Sequence, residues 1–582
     1  MKKLWMIAAC AAVLPQWVAA QVEKRVEVTK AYVPKVESAL KLAVEPDMTD
    51  TTRMRPEIDY TVTPLSLRTT LTTRPIRPAT VTYWEFNRPL PFYLKVGAGY
   101  PLNSVVDFYA TTQNPSTGYV IGYVNHEGSY SKIANEIDVK NNSTRMYNRA
   151  GVAAGKYLGR HILEGELSYD NRMFHRYGSY TTDPDLPEES LRALGIGEMN
   201  DYGNAGLSLR FGDDFQDLSR VNFEVALHGD LFFDHSDWPG DGERARQMNL
   251  GAEGRIAKGF GRSSFSLGIG YDRFGGQKAL SDLWQQLIRA SLRYRFAGGV
   301  VGLEVGGDYY HDRVEMPGDP EAQAETGDYF IPFAHLDFNL GTPGLKPFFE
   351  ADGTARPNDF RSLTAANPYV APGTWLDKSS VDYNFRVGLG GTLWSKRFAY
   401  RVYAGFSVQD NRLFWATLLE RSGADGEYET FASTFIPQLG RQTVTSFNGE
   451  IEYRPLSSLM FDLGVHGRFY NVESDWDNGE ASFVGNVGVT YTGRKVSFGV
   501  EARMENERCW TTLDYLFSDE ISYLPAFKVP FTVDLRAHFD WRVSHRVTLF
   551  VEGRNLVNQP LYDFARYPEL GARFVAGIKA NF

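Results

Sequence analysis

The chain has 582 residues, enough for several soluble domains or for one large barrel. Its net charge of −10 argues against a nucleic-acid partner, and its 14% aromatic content with 55 glycines argues against a disordered chain. Histidine is scarce, no His-Glu-x-x-His occurs, and two cysteines cannot build a thiolate site, so neither metal nor other cofactor is expected.

In chain order, Met1-Lys2-Lys3 leads into an apolar run from Leu4 to Leu14 and then Val18-Ala19-Ala20. This is the layout of a signal peptide over residues 1–20, with a mature chain starting at Gln21. Ile7-Ala8-Ala9-Cys10 also resembles a lipoprotein cleavage box, but cutting there would leave a very short apolar region. Only Cys509 remains after residue 20, which excludes an intramolecular disulfide. No later stretch is apolar for about 18 residues, so no transmembrane helix is expected.

Residues 21–91 are rich in proline: Pro34, Pro46, Pro56, Pro64, Pro75, Pro78 and Pro89 recur through them. Proline removes a ladder donor and fixes φ, so this stretch reads as an extended periplasmic segment, with Ala79 to Trp84 as an edge strand. A disordered linker is the alternative reading.

From residue 92 to 582 the pattern becomes strands of about ten residues. The clearest runs from Phe531 to Arg542. Phe531, Val533, Leu535, Ala537, Phe539 and Trp541 alternate with Thr532, Asp534, Arg536, His538, Asp540 and Arg542. Successive strand side chains point to opposite faces, so one face is apolar and the other charged, as in a water-filled membrane barrel. Gln286 to Phe296, Leu459 to Phe469 and Val547 to Gly553 repeat the pattern, whereas Leu345 to Ala351 is weakly patterned.

The connections alternate in length. Short turns fall at Gln113–Thr117, Gly159-Arg160, Asp213–Ser219, Gly259–Gly261, Ala297–Gly299, Gly341–Gly344, Ser395–Arg397, Pro455–Ser458, Gly493–Lys495 and Val543–His545. Between them the connections are mostly long, at Tyr177–Asn200, Asp312–Thr326, Asp352–Ser380, Leu413–Leu439, Trp510–Pro530 and Asn555–Leu570, with the short Pro101–Asn103 turn the exception. Short periplasmic turns and long external loops define an all-β transmembrane antiparallel barrel of about 22 strands in the cell outer membrane. A barrel of that size normally holds a plugged lumen. Three means of closure are open: the N-terminal segment, inward-folded loops, or a separate protein.

The lumen face offers two charged groups. Arg289, Arg293 and Arg295 share one side of one strand and could form a basic track for an anion, or a wall balanced by neighbouring carboxylates. Asp534, Arg536, His538 and Asp540 mix signs and read as a mutually paired network. Loop aromatics such as Trp375, Phe414, Trp415, Trp476, Trp510 and Tyr515 could stack on sugars or pack loop against loop. No Gly-x-Ser-x-Gly elbow is present, and Gly97-x-Gly99 and Gly268-x-Gly270 sit inside strand patterns, so no enzyme is expected.

The closing run places Phe574, Ala576, Ile578, Ala580 and Phe582 on one face. The segment Arg546-Val547-Thr548-Leu549-Phe550-Val551-Glu552-Gly553-Arg554-Asn555-Leu556-Val557-Asn558 resembles the penultimate strand and loop of TonB-dependent receptors. Tyr567-Pro568-Glu569-Leu570-Gly571-Ala572-Arg573-Phe574, with Gly577 and Phe582, resembles their final strand. The resemblance implies that barrel-assembly machinery recognises Phe574, Ile578 and Phe582 and that the barrel sits among outer-membrane lipid. Val26-Glu27-Val28-Thr29 resembles the short box through which such receptors contact TonB. The departure is the plug domain, which those receptors place between box and barrel; the chain most resembles plugless, receptor-like barrels of Bacteroidetes. The expected function is binding or transport of a solute. The alternatives are a structural or assembly subunit holding a plug-like or lipoprotein partner, and a passive porin.

Overall fold

A computed structural model of the chain describes residues 90–113, 116–134, 140–181, 187, 197–236, 244–281, 283–315, 324–422, 430–514 and 522–582. Residues 1–89, on which the expected signal peptide and Val26, Glu27, Val28 and Thr29 fall, lie outside the described residues.

Twenty-two strands, from Phe92–Tyr100 to Arg573–Asn581, form one antiparallel barrel. Each pairs with the next in sequence along the wall, and the first pairs with the last from Tyr93↔Asn581 to Tyr100↔Phe574. Closure leaves no unpaired edge in the ring, the condition for a sheet to cross lipid. Each short turn read from the sequence falls at a junction between consecutive strands. The weakly patterned Leu345–Ala351 belongs to a complete strand, Lys346–Arg356, paired with Ser380–Leu393 from Lys346↔Gly390 to Arg356↔Ser380. Its alternation is obscured because Phe348 faces the lumen, buried under the Arg401 guanidinium, while Phe349 follows on the other face.

The two faces of the wall separate as a barrel requires. Leu163, Leu167 and Tyr169 are exposed outward on His161–His175, and Phe265, Leu267, Ile269 and Tyr271 on Ser263–Lys278. Leu549, Val551, Phe574 and Ile578 continue the belt to the closing strands. A continuous exposed apolar surface of this extent is a lipid contact.

The inward face carries charge in pairs that stitch neighbouring strands. Lys95 meets Glu552 at 3.0 Å across the closing seam, and Arg210 bridges Glu164 at 2.7 Å and Glu224 at 2.6 Å. Arg386 lies between Glu350 and Asp352, at 3.4 and 2.8 Å.

Two external connections differ from the sequence reading. Leu413–Leu439 is not an open loop: strands Phe398–Ser422 and Thr430–Leu456 run on past the rim, with a register shift between Gln409 and Arg412. Asn411 there adopts φ 52°. A bulge of this kind bends and twists the ladder. The extension then pairs in parallel with Arg508–Asp514, from Ala416↔Thr511 to Leu419↔Asp514, and that strand pairs with Ser522–Val529. Trp510–Pro530 is therefore largely a hairpin as well. The strict alternation fails here because the Phe414, Ala416 and Thr417 side chains are all fully buried, and strands covered on both faces lose the apolar-polar rhythm.

The assignment of faces is testable on Met199–Asp213, where Leu207 points out and the exposed Ser208 points into the lumen. Leu207→Arg should destabilise the barrel by about 2–4 kcal/mol, the range for a cation at the lipid midplane. Ser208→Arg, opposite Glu166, should be nearly neutral in the same urea titration of the reconstituted protein. Equal losses would mean the faces are wrongly assigned.

Candidate functional site

The lumen residues expected from sequence sit as follows. Arg289 lies 3.3 Å from Glu253, and Arg293 lies 2.6 Å from Asp308 and stacks over Phe333. Arg295 is exposed toward the inner end of the same strand, Trp284–Ala297. Asp534 accepts from Arg536 at 2.6 Å and from the Asn555 backbone N–H at 3.1 Å. Asp540 pairs with Lys579 at 2.7 Å. His538 packs opposite Gly499, where a Cβ would reach its imidazole. Phe574, Ile578 and Phe582 are each about half exposed.

The outer mouth holds what sequence reasoning missed. The connection after Lys346–Arg356 folds inward through a short helix, Phe360–Ala366. Asp359 caps it by accepting from the Ser362 N–H at 2.9 Å, satisfying one of the orphan donors of the first turn. The same carboxylate accepts from Gln247 at 2.9 Å, and Arg361 pairs with Asp230 at 3.0 Å. The helix is thus fastened to strands Ala245–Phe260 and Asn222–Asp234, which stand well away from its own strand in the ring. Phe360 and Leu363 are fully buried, and Phe360 packs edge-on against Tyr202 and Phe232 on the wall.

Beyond the helix, four further connections converge. Tyr369 stacks on Tyr567 at 3.5 Å and meets Phe174, Phe564 and Tyr177 edge-on at 5.3, 5.7 and 6.3 Å. Val370 bridges to Phe435 of the long hairpin, and the Tyr567 hydroxyl donates to the Ser433 carbonyl at 2.7 Å. Trp375 and Trp510 are buried in the same cluster. These contacts join separate sectors of the ring, so the outer loops form one apolar core across the mouth. Among the described residues, Trp375 and Trp510, with Trp415 packed against them, therefore pack loop against loop rather than standing free for a ligand.

An ion pair locks this lid to the wall. Glu569 accepts a two-pronged bond from Arg145, both contacts at 2.7 Å, and lies 3.4 Å from Arg573. Burial pushes its carboxyl pKa up, but the two guanidiniums outweigh burial and hold it below the ordinary carboxylate range.

One signal for the inward helix was present: Asp359 before Phe360, Leu363 and Thr364 has the spacing of a capped amphipathic turn. Nothing local marks Tyr369 or Tyr567 as partners, because they are distant in sequence and meet only when the ring closes.

No family model and no curated protein matches the chain. Solved structures do. FpvA of P. aeruginosa, bound to a ferric heterologous pyoverdine, is 11% identical, with 85% of this chain and 72% of that chain covered at a TM-score of 0.61. The FrpB iron transporter of Neisseria meningitidis is 11% identical over 85% and 82%, at 0.63. The ferric-catecholate import receptor Fiu of E. coli K12 is 10% identical over 85% and 82%, at 0.59. At such identities the likeness establishes the fold. The chain shares the closed barrel fold of these receptors and transporters.

Two outcomes follow for the lid. Tyr567→Ala removes a fully buried ring and should weaken the lid by about 3–5 kcal/mol, as for large aromatic truncations. Planar-bilayer recordings should show frequent openings absent from the unaltered protein; a silent variant would show that these contacts do not close the mouth. The second concerns pH. Because the folded pKa of Glu569 is depressed, its stabilisation is present above the unfolded value of about 4.5 and is lost as pH falls through the lower folded value. Outer loops should become protease-sensitive as pH drops below about 4.5, and Glu569→Gln should be sensitive already at neutral pH. A variant as resistant as the parent at pH 7 would exclude the latch.

Proposed function

We propose that the chain is an outer-membrane receptor that binds a solute from outside and admits it when the loop lid is displaced. The observation that carries this reading is a receptor-type barrel whose outer mouth is closed by a dedicated apolar core. A passive porin has no use for such a core, and the paired charges of the lumen wall form a hydrophilic path beneath it. The neighbours FpvA and Fiu take ferric pyoverdine and ferric catecholates, which makes ferric chelates the first solute class to test. In this reading Val26, Glu27, Val28 and Thr29 engage TonB, and force on that segment is coupled to lid opening. The barrel-assembly machinery reads Phe574, Ile578 and Phe582.

A second reading, a structural or assembly subunit, draws on the same lid. A mouth sealed by interlocked loops also makes a rigid platform for a lipoprotein partner. Gentle detergent extraction with pull-down separates the two, since the subunit reading requires a stoichiometric partner.

The direct test is uptake of ferric chelates by cells carrying the full chain or a deletion of Val26 to Thr29. Surface binding should persist while energy-dependent uptake is lost. Uptake unchanged by the deletion would sink TonB coupling.

A further inference from the structure

The inner rim of the barrel is unevenly charged. The turns at residues 394–397, 457–458, 493–495 and 543–546 are consecutive around the wall. They contain Lys396, Arg397, Arg494, Lys495 and Arg546 and no Asp or Glu. The remaining inner turns carry less: residues 159–160 and 261–262 hold one cation each, Arg160 (3.3 Å from Asp213) and Arg262, residues 214–221 carry Asp214 and Asp217 against Arg220, and residues 112–117, 298–300 and 339–345 carry no charge. In a chain of net charge −10, basic residues gather on one arc of the inner rim. All five side chains of the arc are exposed. Arg542, at the edge of the arc, donates to the Gly493 carbonyl at 3.0 Å and draws two of its turns together.

A second feature coincides with the arc. Trp394 is 65% exposed, packed edge-on against Tyr453 at 6.1 Å and tilted against Phe398 at 5.3 Å. It is held by three successive left-handed residues, Trp394, Ser395 and Lys396, at φ 52°, 57° and 71°. Non-glycine residues rarely adopt that region, so the backbone accepts strain to present this side chain. Leu456, Trp541 and Val543 are likewise exposed beside the cations. Exposed aromatics mark the membrane–water interface, and turns of two to four residues keep their cations in the headgroup layer. A soluble acidic partner would give exposed indole rings no apolar surface to enter.

We propose that this arc binds the headgroups of anionic phospholipids in the inner leaflet, with Trp394 and Trp541 seated at the acyl boundary and the five cations on the phosphates. The proposal rests on the barrel spanning a membrane as described above. Four adjacent hairpins, at roughly 4.8 Å per strand, make an arc of about 35 Å, room for several lipids. Such an annulus fixes the barrel's depth and orientation on the side opposite the lid.

The test uses the full chain in vesicles of phosphatidylcholine containing a minor fraction of phosphatidylglycerol, with spin-labelled versions of each lipid as probes. The motionally restricted, protein-bound fraction should favour phosphatidylglycerol by roughly fivefold, the increment of a single well-placed cation, and the preference should fall with added salt. Replacing Lys396, Arg397, Arg494, Lys495 and Arg546 with Gln should abolish the preference. Replacing Arg160, Arg220 and Arg262 with Gln, on the other turns, should leave it intact, as should a version keeping charge through Arg→Lys. Equal selectivity in the parent and the five-Gln variant would overturn the proposal. So would capture of an acidic periplasmic protein that the five-Gln variant loses while lipid selectivity is unchanged. Heat-dependent gel migration reports insertion separately: a parent chain that never inserts contradicts the barrel itself, whereas an inserted chain without lipid preference contradicts only the arc.

Discussion

Backbone hydrogen bonding in a medium without water is the constraint on which this structure depends. Every N–H and C=O that crosses lipid needs a partner, and a sheet supplies them all only if its first strand pairs with its last. The pairing of Phe92–Tyr100 with Arg573–Asn581 meets that condition. It brings the two ends of the sequence together, sets Lys95 beside Glu552, and forces an even number of strands. The rest follows from the ring: apolar residues outward, ion-paired residues inward, short turns on one rim and long connections on the other.

Ring closure creates a second problem, a wide lumen, and the outer connections answer it. The inward helix at Phe360–Ala366, the prolonged hairpin and the loop carrying Tyr567 each leave the wall at a different sector and meet in one apolar cluster. Glu569 and Arg145 add a charged latch at its edge, where burial of both groups is compensated by two-pronged geometry. Burial of large aromatic rings is strong but non-directional, and it is what holds these loops together. The basic arc on the inner rim lies at the other end of the same cylinder, so the two ends are chemically distinct: an aromatic cluster of loops outside, and cations with exposed tryptophans inside.

Much of the wall was legible in the sequence because each strand declares itself locally. Phe531 to Arg542 alternates so regularly that its two faces could be assigned without neighbours, and the turn at Gly493–Lys495 carries its own stop signals. Legibility failed where a strand faces protein on both sides. Phe414, Ala416 and Thr417 carry no alternation because the hairpin is covered by other loops. Lys346–Arg356 was faint because Phe348 turns inward beneath Arg401.

The sequence alone determined what depends on the strand period of two and on turn chemistry: the barrel, its strand number, its outer and lumen faces, and the residues at its final strand. Tertiary structure decided what depends on which distant segments meet. Only the closed ring sets Tyr369 on Tyr567, Arg145 on Glu569, and three basic turns along one arc of the rim. The reason is physical: a side chain's direction follows from its own backbone, whereas its partner across a wide lumen follows from the closure of the whole wall.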